Sequence, residues 1–116
     1  MFRSYIRVLL VLTFPTYSFG QLTVEQFAKL PEAVSNNAVC EGFIDDSAYL
    51  FSFGGIDTTK IYSGIHNRSY KINLASGASE RISDLPDDRG KIASGVSRID
   101  NMIYIMGGYY VNEDDT

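Results

Sequence analysis

The sequence contains no tryptophan, one cysteine and one histidine, and its acidic residues outnumber its basic residues. Because Cys40 is the only cysteine, no internal disulfide bond holds the fold together. Because His66 is the only histidine and no cysteine or helically spaced glutamate stands near it in the sequence, a metal site lacks partner ligands. The Lys and Arg residues are scattered, whereas a phosphate-binding surface needs them clustered. We therefore expect no metal, no cofactor and no nucleic acid partner.

The first twenty residues differ from the rest of the chain. Arg3 and Arg7 accompany a short apolar stretch, and small residues follow it up to Gly20. This arrangement predicts a secretory signal peptide over residues 1–20, cleaved before Gln21. The apolar stretch is shorter than the roughly 20 residues needed to cross a bilayer, so we expect no membrane span. Cleavage removes two of ten basic and none of fourteen acidic residues, which leaves a net charge of −6 on a secreted or periplasmic protein.

The remaining chain repeats itself with a period near 55 residues. Three pairs recur in order: Leu30-Pro31 as Leu85-Pro86, Ile44-Asp45 as Ile99-Asp100, and Gly54-Gly55 as Gly107-Gly108. The offset is 55 for the first two pairs and 53 for the glycine pair, so the two copies differ in length within residues 45–49. A short polar stretch between apolar runs there predicts a hairpin tip. Such a period is typical of an architecture in which one unit cannot bury both of its faces alone.

Alternating apolar residues predict the strands of each copy. The first copy has predicted strands at 37–43, 48–53, 68–74 and 79–85, and the second at 92–99 and 102–106, each second strand ending at its glycine pair. Residues 21–30 form either an exposed strand or a short amphipathic helix. The first strand of each copy carries small residues, at Ala38, Gly42, Ala93 and Gly95, as expected where inner strands crowd around a common axis. Four strands of this kind per repeat predict a propeller blade.

The motifs at the glycine pairs resemble kelch repeats. They are Tyr49-Leu50-Phe51-Ser52-Phe53-Gly54-Gly55 and Ile103-Tyr104-Ile105-Met106-Gly107-Gly108, together with Tyr70 in the third strand and Leu85-Pro86 before the next unit. Kelch repeats usually have a tryptophan in the fourth strand, where this sequence has Ser79. The resemblance implies an all-β fold of kelch-type propeller blades over residues 21–116: an outer strand at 21–31, a complete first blade at 32–86 and a partial second blade at 87–116.

Propellers close with roughly 4 to 8 blades, and fewer than two fit here, so we expect an incomplete ring. The chain is then interpreted as the N-terminal piece of a longer protein. Its open strand edges would be covered by the remaining blades or by other copies of the chain.

The longer loops of the predicted blades lie together at one end of the strands and contain most of the functional groups. Sites on rigid scaffolds are usually built from such loops. We expect ligand contacts from four loop residues: Asp57, Lys60, His66 and Arg89. A lone histidine in a polar loop is more often exposed to solvent than bound to a ligand, so His66 is expected to be exposed.

Tyr109 and Tyr110 follow the second glycine pair and offer rings on which a sugar can stack, although core packing is an equally good interpretation for one of them. Asn67-Arg68-Ser69 is a glycosylation sequon, relevant in a host that glycosylates secreted proteins.

The leading functional prediction is a secreted binding scaffold for a protein or carbohydrate ligand. The alternative is a sugar-active enzyme, because the resemblance extends to kelch propellers that act as sialic acid mutarotases or copper-dependent galactose oxidases. Neither activity is assigned to particular residues of this sequence. A structural adhesion or assembly module that uses exposed strand edges is a third class.

Overall fold

The computed structural model of the protein describes residues 20–113, which form an all-β structure. Six strands and one short helical turn follow in chain order: β1 (Ala38–Ile44), β2 (Ser47–Phe53), a 3-10 turn (Tyr62–Gly64), β3 (Ser69–Asn73), β4 (Ser79–Ile82), β5 (Ile92–Ile99) and β6 (Met102–Tyr109). The predicted signal peptide lies almost wholly outside these residues and stays a prediction. No helix within the described residues is long and apolar enough to cross a membrane.

The first copy of the repeat forms a four-stranded antiparallel sheet in the order β1-β2-β3-β4. Asp45 and Asp46 connect β1 to β2 with φ angles of 46° and 62°, the left-handed conformation that a two-residue hairpin turn with native twist requires. This confirms the predicted hairpin tip. Between β3 and β4, the Asn73 Oδ1 atom accepts hydrogen bonds from the N–H groups of Ala75 and Ser76, and Gly77 completes the turn with a φ of 74°.

The second copy forms a two-stranded sheet of β5 and β6, and β6 does not end at its glycine pair as predicted. In the first copy, the N–H of Gly54 bonds to Arg68 O and that of Gly55 bonds to Lys91 O, so β2 stops at Phe53. In the second copy no third strand follows within the described residues. Gly107 pairs with Ser94 and Tyr109 pairs with Ile92 of β5, so β6 continues past the glycine pair to Tyr109.

Residues 20–30, for which the sequence predicts an outer strand or a short helix, contain neither. Leu22 and Val24 are 94% and 95% exposed. A strand needs a hydrogen-bonding neighbour, and no strand of the described part of the chain lies beside this segment. The segment does touch the first sheet, because the carbonyl oxygen of Phe27 lies against Gly77 in the β3–β4 turn.

Small side chains on β1 allow close packing, as predicted. Ala38 and Gly42 are buried and Cys40 is half-buried on the same face. A Cβ atom on Gly42 would lie 2.8 Å from the Phe51 ring and 3.5 Å from the Ile103 side chain of the second sheet. At the matching positions of β5, Ala93 and Gly95 are exposed, so close packing at the small residues is seen in the first sheet only, and crowding around a common axis stays a prediction.

Candidate functional site

Loops from both copies of the repeat meet in an open cleft of about 840 Å³. Its walls come from the loop between β2 and β3, the loop before β5 and the residues after β6: Tyr62, Ile65, His66, Asn67, Asp88, Arg89, Gly90, Tyr110, Val111, Asn112 and Glu113. The sequence predicts that these loops share one end of the sheets, and the cleft confirms it. Of the four predicted ligand contacts, His66 and Arg89 line this cleft, whereas Asp57 and Lys60 do not.

Arg89 is held in place on the cleft wall. Its guanidinium carbon lies 4.6 Å from the centroid of the Tyr110 ring, and Nη1 donates a 2.8 Å hydrogen bond to Asn112 Oδ1. The Arg89 N–H also donates to Asp87 Oδ1, and this bond is the main cause of a lowered Asp87 pKa. The Asp87 bond thus holds the Arg89 backbone, while Asn112 and the Tyr110 ring hold its guanidinium, a group with further N–H donors.

His66 is buried rather than exposed, which corrects the expectation from the sequence. Only 7% of its surface reaches solvent, and Gly90 packs directly against its backbone. Its Nδ1 atom accepts a 3.2 Å hydrogen bond from the Arg68 N–H, so the neutral ring carries its proton on Nε2. Nε2 has no hydrogen-bond partner and lies 3.8 Å from Glu32 Oε1. Burial, followed by the charge of Arg68, lowers the pKa of His66.

Glu32, in the segment before β1, forms a cluster with Arg68 and Tyr70 that the sequence does not predict. Arg68 Nη2 donates a 2.9 Å hydrogen bond to Glu32 Oε2, while Arg68 Nε and the Tyr70 hydroxyl both donate to Glu32 Oε1. The bond from Arg68 is the largest cause of the lowered pKa of Glu32, and burial raises the pKa of Tyr70. The one available signal is that Glu32 is the only acidic residue in the segment 31–36. Its partners lie 36 and 38 residues away, so no local pattern reveals them.

Asp57 and Lys60 organise the loop between β2 and β3 instead of lining the cleft. The Asp57 carboxylate accepts hydrogen bonds from the Thr59 N–H at 2.9 Å and from the Thr59 hydroxyl, which lowers the pKa of Asp57. Lys60 has a φ of 58° and its ammonium group donates to Ser35 Oγ. Both side chains therefore shape the loop that carries Tyr62 and His66 to the cleft.

Asn67, the first residue of the sequon, joins two loops at the base of the cleft. Its Nδ2 atom donates to the carbonyl oxygens of Leu85 and Asp87 at 3.3 and 2.8 Å, and the Leu85 N–H donates back to Asn67 O at 2.9 Å. Ser69, the third residue of the sequon, is fully buried. These bonds fix the loop that carries Arg89 relative to the loop that carries His66.

The cleft offers an aromatic ring, a fixed guanidinium, amide groups and the carboxylates of Asp88 and Glu113. Within residues 20–113, no group of three or more His, Cys, Asp or Glu side chains is placed to hold a metal ion. No family model matches the sequence, and comparison with curated proteins finds no similar one.

Proposed function

We propose that this chain is a secreted binding scaffold of the kelch propeller type, and that its loop-end cleft binds a carbohydrate. The architecture of the first copy supports the first part of the proposal: a four-stranded antiparallel meander begins at a small-sided strand, and its glycine pair bonds to the next repeat through Gly55 N–H and Lys91 O at 3.0 Å. The observation that carries the second part is the Arg89, Tyr110 and Asn112 arrangement on the cleft wall.

That arrangement has the chemistry that sugars require. A sugar ring presents apolar C–H groups on one face and hydroxyl groups around its edge, so it is bound by an aromatic ring together with planar polar groups. Tyr110 is 45% exposed and Tyr62 is 41% exposed, and both line the cleft. Arg89 supplies donors beside the Tyr110 ring, and Asn112 Oδ1 accepts one bond from its guanidinium and holds it there. The two loops are joined through Asn67, which lowers the entropy lost when a ligand binds.

The cleft's own charges favour an uncharged sugar over an acidic one. Asp88 and Glu113 contribute two carboxylates, Arg89 contributes one positive charge, and the lowered pKa of buried His66 keeps its ring neutral near pH 7. An added carboxylate or sulfate group would meet net negative charge.

The test is a glycan array probed with the full chain, followed by titration of the strongest neutral sugar. Replacing Tyr110 with alanine removes the stacking surface and the support of Arg89, so we expect binding about fivefold weaker, since a ring contact contributes roughly 1 kcal/mol. The matched control is Tyr109→Ala, which removes a neighbouring tyrosine that is 56% exposed and does not line the cleft. An array blank for all sugars, or equal loss in both variants, would refute carbohydrate binding in this cleft.

A sugar-active enzyme on the same scaffold stays a prediction from the sequence. The observation in its favour is that the carboxylates of Asp88 and Glu113 line the same cleft and are able to exchange protons with a bound sugar. The sugar identified on the array is incubated with the protein and followed by NMR for anomeric exchange or bond cleavage. Turnover that Glu113→Gln abolishes supports the enzyme, and an unchanged sugar leaves binding alone.

A further inference from the structure

The backbone of His66 lies where the loop between β2 and β3 meets the loop before β5. Gly55 connects the two loops, because its carbonyl oxygen accepts a 3.0 Å hydrogen bond from the His66 N–H and its own N–H donates to Lys91 O at 3.0 Å. Gly90 packs so closely at this point that a Cβ atom on it would lie 2.3 Å from His66 Cα. Since Arg89 directly precedes Gly90, a displacement of His66 also displaces the residue that supplies the guanidinium of the cleft.

The His66 ring fits its surroundings in the neutral form. Nδ1 accepts the 3.2 Å hydrogen bond from the Arg68 N–H, and this requires a lone pair that a protonated ring lacks. Turning the ring over does not restore an acceptor, because both nitrogens of an imidazolium are donors. On the other side of the ring, Nε2 is buried without a hydrogen-bond partner among the described residues, 3.8 Å from Glu32 Oε1. A second proton on the ring therefore breaks the bond to Arg68 and attracts the ring towards Glu32.

Charged groups from four segments act on this ring. Arg68 repels an imidazolium, and its charge adds to the burial that lowers the pKa of His66. Three carboxylates attract an imidazolium, each of which already accepts hydrogen bonds from another residue: Glu32 before β1, Asp57 after β2 and Asp84 after β4. The loop before β5 and the residues after β6 add the ion pair of Asp87 with Lys91 and the cleft residues Asp88, Arg89 and Glu113. Proton uptake is thus opposed by burial and by Arg68, and it is favoured only by carboxylates that hold other partners.

We propose that His66 is the positioning residue of the cleft: its neutral ring keeps the two loops in contact around a bound sugar, and its protonation in mild acid separates them and releases the sugar. This proposal rests on the carbohydrate binding proposed above. When the ring moves towards Glu32, the His66 backbone loses its close contact with Gly90, and Arg89 leaves its place beside the Tyr110 ring. Coupling between two binding events is reciprocal, so a bound sugar in turn holds His66 neutral.

The loop contact is measured without any sugar, by NMR on the full chain at pH values above and below the midpoint of the His66 ring. We expect a nuclear Overhauser effect between the Hα atoms of His66 and Gly90 while the ring is neutral, and its loss when the ring is protonated. The cross-strand contact of Glu41 with Leu50 in the first sheet is the internal control and should persist at both pH values.

Three results of this measurement overturn the proposal. If the contact of His66 with Gly90 persists after protonation, the proton does not move the loops. If the contact of Glu41 with Leu50 is lost at the same pH, the chain unfolds as a whole. If the ring stays neutral until the chain unfolds, His66 does not respond to mild acid in the folded protein.

The second measurement is the affinity of the strongest sugar on the glycan array, titrated from pH 7 down through the midpoint of His66. We expect binding by the wild type to weaken about tenfold and the bound sugar to lower that midpoint by about one pH unit. His66→Asn and His66→Gln do not titrate, so their affinity should not change over the same pH range. A merely structural role for His66 would weaken binding in both variants and leave the pH dependence as it is in the wild type.

A parallel loss of affinity in the wild type and in the two variants overturns the proposal, because another group then controls binding. Circular dichroism checks that the variants fold, and the midpoint shift in the wild type decides the question if they do not. A sugar that binds equally well at both pH values refutes the proton control and leaves carbohydrate binding intact. A blank array refutes carbohydrate binding, while the NMR contact still shows whether His66 controls the loops.

Discussion

The Asn67 Nδ2 atom donates a 2.8 Å hydrogen bond to the carbonyl oxygen of Asp87, and this bond connects the two loops that form the candidate site. Its second hydrogen points to Leu85 O at 3.3 Å. Both N–H bonds of the Asn67 amide are therefore used inside the fold. The sequence alone classifies Asn67 as a glycosylation acceptor, yet a glycan on Nδ2 would replace one of these hydrogens and push the loops apart.

We therefore predict that folded protein secreted from a glycosylating host carries no glycan at Asn67. Chains modified before folding keep a single hydrogen on Nδ2, so they cannot form both the bond to Asp87 and the bond to Leu85. The measurement is the gel mobility of the secreted protein before and after endoglycosidase treatment. Asp45→Asn is the positive control, because it creates a sequon at an exposed hairpin tip where the φ of 46° suits asparagine. A glycan found on Asn67 of the folded product would contradict the prediction.

Gly90 is required by packing against His66. A Cβ atom at Gly90 would lie 1.9 Å from the carbonyl carbon of His66. Because that atom belongs to the backbone, it cannot move aside by a change of rotamer as a side-chain atom can. We predict that Gly90→Ala lowers the free energy of unfolding by about 1–3 kcal/mol, the usual cost of overpacking. Gly95→Ala is the control, since its Cβ would meet nothing closer than Met106 O at 3.8 Å and its effect should stay within about 1 kcal/mol. Denaturant unfolding measures both, and equal losses would refute the packing argument.

Local patterns predicted the strands because strands are set by short-range alternation and turn chemistry. Alternation predicted β5 as it stands at Ile92–Ile99, and paired aspartates predicted the first hairpin tip. The end of β6 was missed, because a glycine pair ends a strand only where its N–H groups find other partners.

The site was predicted less well than the strands, since it depends on distant residues. The loops were expected to converge and they do, but the packing of Gly90 on the His66 backbone and the pairing of Arg68 with Glu32 were not expected. Each contact joins two segments that are far apart in the sequence, so no local spacing predicts it. The burial and the hydrogen-bond partners of a loop residue depend on the segment that packs on it.

The Glu32 to Arg68 pair should contribute more to stability than the exposed pair of Arg81 and Asp84. Glu32 and Arg68 side chains are 30% and 29% exposed and share a two-point contact, to which the Tyr70 hydroxyl adds a third bond. We predict that Glu32→Gln lowers the free energy of unfolding by about 1–3 kcal/mol, as expected for hydrogen bonds to a charged group. Asp84→Asn removes a pair of the same type on the surface, where solvent screens the charges, and should therefore cost less than Glu32→Gln. Similar costs in thermal or denaturant unfolding would contradict this ranking.

The buried His66 predicts that the protein loses stability in mild acid. Burial lowers the pKa of His66 in the folded protein below its usual 6.5. Between the two pKa values, His66 is therefore protonated in the unfolded chain and neutral in the folded chain. The free energy of unfolding is consequently highest above pH 6.5 and falls as the pH decreases towards the folded pKa. Protonation also removes the Nδ1 acceptor of the Arg68 N–H and adds positive charge beside that guanidinium. The lowered pKa of Glu32 adds a second loss, below about pH 4.5.

Because His66 is the only histidine, its ring resonances in an NMR titration report the folded pKa directly. We expect a midpoint below 6.5 and a matching decrease in the urea midpoint of unfolding between pH 7 and pH 5. His66→Asn keeps an acceptor near the Arg68 N–H but does not titrate, so the decrease above pH 5 should disappear while the loss driven by Glu32 persists. A His66 midpoint at or above 6.5, or a pH profile unchanged by His66→Asn, would show that burial does not control this ring.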